Sequence, residues 1–257
     1  MSQFTRRAAG VLAAGSAALL LLSGCSGGGD AVKAHDASTR ASSTTTTSDD
    51  TKPGVTDGSK APTLVVDQSV FPAGYTVQEI PAGQLKTTVD QMLAAVKGLR
   101  SDPASCVQQN LIPDSVDLGS LGLVVGTRNG GTSNLAEAVT VGGLSIDKQR
   151  KSVSGNCQTV SVSFDSGPAK GASGTVTSVI VPAPKTKAKA SDVLVVARTT
   201  DMALNGQHVT TRSKQGFAQV NGYTVSVQST SPTGGAVDEA GFERLFVAAV
   251  NKVADEG

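Results

Sequence analysis

Between residues 121 and 228 the chain returns again and again to one pattern, a short run rich in β-branched residues closed off by glycine or proline. The runs are LGLVVGTR (121–128), AEAVTV (136–141), QTVSVSFD (158–165), GTVTSVIV (174–181) and DVLVVARTT (192–200). Side chains branched at Cβ are stiff and pack well on a pleated surface, so the pattern dictates strands. Alternation adds an orientation: Val160, Val162 and Phe164 face one way and Thr159, Ser161 and Ser163 the other, as in a sheet with one wet face. In FAQVNGYTVSVQ (217–228) the pair Asn221-Gly222 separates two alternating runs, and both residues tolerate the positive φ that a two-residue hairpin turn demands. FPAGYTVQEI (71–80) reads as a turn leading into a short strand.

Two segments carry the helical period instead. Leu85, Val89, Met92, Leu93, Val96 and Leu99 recur every three or four residues, with Gly98 weakening the last turn and Asp102-Pro103 as the stop. Near the C-terminus Phe242, Leu245, Phe246, Ala249, Val250 and Val253 form a second apolar stripe, with Asp238 placed to cap its start. An antiparallel sheet with an apolar face must be covered, and these two amphipathic helices are the available cover. The expected fold class is α+β, an antiparallel sheet covered on one face by two helices, in a single domain over residues 63–257.

The N-terminus decides location. Arg6 and Arg7 precede an uncharged apolar stretch, Ala8 to Leu22, and then the small residues Ser23 and Gly24, the arrangement of an export signal. Fifteen helical residues span only about 22 Å, short of a hydrocarbon core of roughly 30 Å, so residues 1–24 read as a cleaved signal and not as a membrane span. Leu22-Ser-Gly-Cys25 resembles the bacterial lipobox, which implies a diacylglycerol thioether on Cys25 and an anchor on the extracytoplasmic face of the cell membrane. Residues 25–62 follow with thirteen Ser or Thr, no aromatic and no Leu or Ile, a composition that reads as a tether with a reach of about 33 Å.

Composition removes whole classes of function. Of 22 basic residues Arg6 and Arg7 leave with the signal, and against 21 acidic ones the mature chain carries a net charge of −1. That lacks the basic footprint of a nucleic-acid binder. With six Phe, two Tyr and no Trp, stacking platforms for sugars or bases are scarce. Once Cys25 is acylated, Cys106 and Cys157 are left as an even pair in an oxidising compartment and read as one disulfide.

The chemical motifs are fragments. Ser145-Ile146-Asp147-Lys148 matches S-x-x-K, but no convincing K-T-G accompanies it, KTK (185–187) lying in a low-complexity loop. His35 sits in the tether and His208 in a strand run, too few for a triad or a histidine metal site. Asp90, Glu137, Asp147, Asp165, Asp192 and Asp201 are scattered. VGTRNGG (125–131) lacks the lysine and helix of a phosphate loop and reads as a turn, while Lys185, Lys187 and Lys189 mark an exposed loop, either merely solvated or a contact for anionic lipid or wall polymer. The expectation is no catalytic residue, no metal site and no cofactor.

The order of FPAGYTVQEIP (71–81), a helix leading to DPASC (102–106), SGNCQTVSVSF (154–164), GFAQVNGYTVSVQ (216–228) and FERLFVAAVNKV (242–253) resembles the PknH-like extracellular sensor domain of mycobacteria and related actinobacterial envelope lipoproteins of unknown function. The resemblance implies a twisted antiparallel sheet with helices and a groove that takes an envelope ligand, and it brings no catalytic residues with it. One departure is plain: the kinase sensor domain has two disulfides, and only Cys106 and Cys157 are available here. The function expected is a lipid-anchored, non-catalytic binding or sensor-type domain for a hydrophobic or wall-derived ligand. The competing expectation is a structural or accessory role docked to another envelope protein.

Overall fold

A computed structural model of the chain describes residues 56–80, 86–87, 90, 98–106, 118–141 and 145–257. The export signal, Cys25, the tether up to residue 55 and the body of the helix expected from Leu85 lie outside these residues; of that helix, positions 86, 87 and 90 are described and helical, with Lys86 and Asp90 ion-paired at 2.6 Å.

The described strands form one antiparallel sheet of nine. They are β1 (Tyr75–Glu79), β2 (Leu99–Asp102), β3 (Leu121–Arg128), β4 (Asn134–Val141), β5 (Thr159–Phe164), β6 (Ser173–Val181), β7 (Asp192–Leu204), β8 (Gln207–Val220) and β9 (Tyr223–Ser231). Their order across the sheet is β1-β3-β4-β9-β8-β7-β6-β5-β2. Two α-helices are described end to end, α1 (Ile146–Ser152) and α2 (Glu239–Glu256). The architecture is therefore α+β, and every strand run read from the sequence is a strand.

The hairpin at Asn221-Gly222 joins β8 to β9 with φ of 51° and 81°, the left-handed pair its sequence requires. A second turn of the same kind, Asn205-Gly206, joins β7 to β8 with φ of 53° and 77° and carries both strands well past residue 200.

Leu99 corrects the helical reading of residues 85–99. It lies in β2 and pairs with Phe164 of β5, so the helical period ends before Gly98. Gly98 is the reason: a Cβ there would stand 2.4 Å from the Ser166 carbonyl oxygen, and the chain uses that bare approach to run alongside β5. The tether boundary moves as well. Gly58–Thr63 forms a 3-10 turn with Ala61 fully buried, and Tyr223 donates its hydroxyl proton to the Asp57 carbonyl at 2.8 Å, so the packed domain includes residues that composition alone assigns to the tether.

α2 covers one face. Asp238 caps it by accepting the Gly241 amide proton at 2.8 Å, and Phe242, Leu245, Phe246, Ala249, Val250 and Val253 are all fully buried against Leu135, Val139, Val195, Ala218, Val225 and Val227. Burial of each large apolar side chain stabilises the fold by roughly 1.5–3 kcal/mol. Beyond α2, on that same face, Thr159, Ser161 and Ser163 of β5 are exposed, as their alternation predicts.

The other face is not simply wet, which corrects the one-sided sheet. Leu194, Val195 and Val196 are consecutive and all buried, so β7 is apolar on both sides. On the second face Leu194, Val196 and Phe217 pack against Ile146 and Val153 of α1, and Val160 and Val162 pack with Cys106. Cys106 and Cys157 form a disulfide with Cα atoms 5.2 Å apart, linking the exit of edge strand β2 to the turn before β5.

Candidate ligand-binding site

The residues singled out for chemistry do not converge. Ser145 accepts the Lys148 amide proton at 3.3 Å, so the S-x-x-K match is the N-cap of α1, a Ser in its preferred place. His208 is exposed on β8, and His35 lies outside the described residues. Five of the six carboxylates have local partners: Asp90 with Lys86, Asp165 with Arg100 at 2.7 Å, Asp192 and Asp147 both with Arg150 at 2.9 and 4.0 Å, and Asp201 with the Thr210 hydroxyl. The Arg100 hydrogen bond holds the Asp165 carboxyl below the usual carboxylate range. Among the described residues no three His, Cys, Asp or Glu stand close enough to share a metal ion. Gly130 and Gly131 take positive φ in the β3–β4 turn, as read for VGTRNGG.

The lysine segment is a docked strap. Ala188 donates its amide proton to Asn251 Oδ1 of α2 at 3.1 Å, and Ala188 and Ala190 pack on the core while Lys185, Lys187 and Lys189 all point to solvent.

A shallow trough of about 520 Å³ lies at the β2–β5–β6 edge, lined by Arg100, Asp102, Ser161, Ser163, Ser173 and Thr175. Ser101, Val162 and Gly174 complete the lining, and Arg100 is already paired with Asp165 outside it.

A different set of residues has hydrogen-bonding capacity left over, and it lies on the α1 face of the sheet. Arg198 of β7 points to that face, two residues on from buried Val196. It stands opposite Ser178 on one side and Ser213 on the other. In the adjoining row Val196 pairs with Gln215, and Gln215 with Gln228. Arg198 donates from Nε to Ser178 Oγ at 3.3 Å, its one hydrogen bond among the described residues, and no carboxylate pairs with it there. Burial alone pulls its guanidinium pKa down from the ordinary value.

Around it the amides are also short of partners. Gln149, Gln215 and Gln228 are 4%, 4% and 8% exposed, and Gln149 Nε2, Gln215 Nε2 and Gln228 Oε1 have no partner among the described residues. Gln149 follows Ile146 by three residues, which puts it on the face of α1 that packs on β7. A buried amide without a partner costs about 1–3 kcal/mol, and two of these three atoms, a donor and an acceptor, belong to the directly paired residues Gln215 and Gln228. Parity carried the signal in the sequence: Leu194, Val196 and Arg198 alternate onto one face, as do Gln215 and Phe217.

Arg198 is half-buried; Glu137 is the one fully buried charged group among the described residues, and it is closed off. It is fully buried in β4 on the α2 face, where Oε2 accepts the Val66 amide proton at 2.9 Å and Oε1 has no partner. Desolvation pushes its pKa up to about 8, against the opposing pull of Val66 and Lys252. It ties the N-terminal segment to the sheet.

No protein-family model and no curated protein sequence matches the chain. Among solved structures the chain is similar to a Mycobacterium smegmatis protein, the Rv0999 ortholog, at 17% identity and TM-score 0.46, over 79% of this chain and all of that one. It is similar as well to the extracellular domain of PknH from Mycobacterium tuberculosis, at 16% identity and TM-score 0.42, over 80% of this chain and all of that one. The second of these is the domain that the sequence motifs resemble.

Proposed function

We propose that this chain is an extracytoplasmic, lipid-anchored domain that binds a ligand on the α1 face of its sheet and carries out no chemistry on it. The observation that carries the reading is Arg198, a half-buried cation with no carboxylate among the described residues, on the same face of the sheet as three buried glutamines with unspent hydrogen-bonding groups. Such a set costs stability in the free protein and is repaid when a ligand completes it. Support for the location comes from the sequence Leu22-Ser-Gly-Cys25, and from the Cys106–Cys157 disulfide, a bond that persists in oxidising compartments. Acylation of Cys25 holds the domain at the membrane surface in this reading, and a hydrophobic or wall-derived molecule is its ligand.

Native mass spectrometry of the protein isolated from its own envelope tests this. A reproducible low-mass adduct on the folded chain supports it. Ligand-free protein crosslinked to a protein partner moves the function to an accessory role.

A further inference from the structure

We propose that the molecule bound on the α1 face is a single-chain anionic amphiphile, whose carboxylate or phosphate meets Arg198 and the amides of Gln149 and Gln215 while its aliphatic chain lies along Ile180. The inference rests on the binding reading above and narrows it to a ligand class.

Charge is the first argument. The residues opposite and flanking Arg198 on its face are Ser178, Ile180, Val196, Thr200, Ser213, Gln215 and Thr211, none of them acidic. Asp192 shares the face but lies six residues back along β7, about 20 Å at 3.3 Å per residue, and is bonded to Arg150 at 2.9 Å. Asp201 belongs to the opposite face by parity. The guanidinium therefore lacks a counter-charge among the described residues, and its planar fork matches two oxygens of a carboxylate or phosphate.

The second argument is the kind of capacity left over. Gln149 Nε2 and Gln215 Nε2 are donors that need an acceptor, and an oxyanion is acceptor on every side. The orphan acceptor, Gln228 Oε1, belongs to the cross-strand partner of Gln215; an amide has two N–H groups, so a rotation that closed a hydrogen bond from Gln215 Nε2 to Gln228 Oε1 would still leave the second Gln215 N–H for the ligand.

The third is apolar surface. Three large apolar side chains are exposed among the described residues, and two of them, Ile180 and Val209, each 41% exposed, lie on the Arg198 face. Ile180 is two residues beyond Ser178, the hydrogen-bond partner of Arg198, so head-group and chain contacts adjoin. None of these residues is aromatic, so a planar ring finds no stacking partner among them.

Isothermal titration of the full chain carrying Cys25→Ser with octanoate, octyl phosphate, octanol and inorganic phosphate separates the possibilities. The proposal predicts that at least one anionic amphiphile binds about tenfold or more tighter than octanol. Arg198→Gln should reduce that ligand to the octanol level, and Gln215→Leu, the milder change, should weaken it by roughly threefold. Melting curves of both variants establish that they fold. Inorganic phosphate binding as tightly as octyl phosphate would make the ligand a free anion and overturn the amphiphile. Equal binding of octanol and octanoate, or an Arg198→Gln protein that still prefers the anion, would overturn the charge recognition while leaving the binding reading in place. Failure of all four probes, together with an adduct-free mass spectrum of the envelope-derived protein, would remove both.

Discussion

Glu137 accepts the amide proton of Val66 at 2.9 Å across 71 residues of sequence, fastening the middle of β4 to the segment through which the domain is reached from its N-terminal side. Lys252 of α2 reaches the same segment, donating to the Val65 carbonyl at 2.7 Å, and Arg244 donates to the Ser69 carbonyl at 3.1 Å. The N-terminal segment is thus held from the sheet beneath and from the helix beside it.

This carboxyl gives stability a pH dependence of definite sign. Its folded pKa of about 8 stands above the ordinary glutamate value of 4.5, so between those limits the native state holds a proton that the unfolded chain has released. Stability from this group is full below the unfolded pKa and falls as pH rises towards 8, at a limiting slope of about 1.4 kcal/mol per pH unit. Urea unfolding at pH 5.5 and pH 8 should show the wild-type protein losing stability over that interval and Glu137→Gln losing much less. Parallel profiles for the two proteins would contradict the assignment.

The Cys106–Cys157 bridge closes a separation of 51 residues and secures β2, a four-residue edge strand, beside β5. In the chain-entropy picture such a bridge stabilises the fold by about 4 kcal/mol. Reduction should lower Tm and open the β2 edge to proteases before the β8–β9 hairpin, and the intact mass should rise by two hydrogens. Two free thiols in the exported protein would contradict the bridge.

Gly216 faces α2, and a Cβ there would lie 2.7 Å from Phe246 and 2.9 Å from Phe242, two rings stacked 5.8 Å apart. Neither ring has room to retreat, since both side chains are fully buried. Gly216→Ala should cost about 1–3 kcal/mol through overpacking, a fall in Tm of roughly 2–4 °C per kcal/mol. An unchanged Tm would show that α2 sits further from β8 than described.

The sheet was largely legible because its signals are local. Alternation marks β5, and Asn221-Gly222 marks one hairpin; Asn205-Gly206 carried the same turn signal and extends β7 and β8 beyond the ends that composition indicates. α1 was hidden because seven residues are too few to establish a helical period, and its cap, Ser145, reads equally as half of a catalytic pair. Residues 57–62 look like tether because their polar composition says nothing of the distant groups that hold them, Tyr223 among them.

The candidate site was half legible. The alternation that buries Leu194 and Val196 puts Arg198 on their face, and the one that buries Leu135 and Val139 does the same for Glu137. What no local pattern reveals is that Arg198 has no carboxylate partner among the described residues and that Gln149 comes from a separate element, because both depend on how distant parts of the chain are brought together.

Val179 and Ile180 offer the most direct test, since they are adjacent in β6, 52% and 41% exposed, and on opposite faces of the sheet. A photo-crosslinking benzophenone side chain placed at each in turn, irradiated in the native envelope and read by intact mass, should give a low-mass adduct from position 180 and none from position 179. An adduct from 179 alone, equal adducts from both, or none from either would contradict binding on the α1 face.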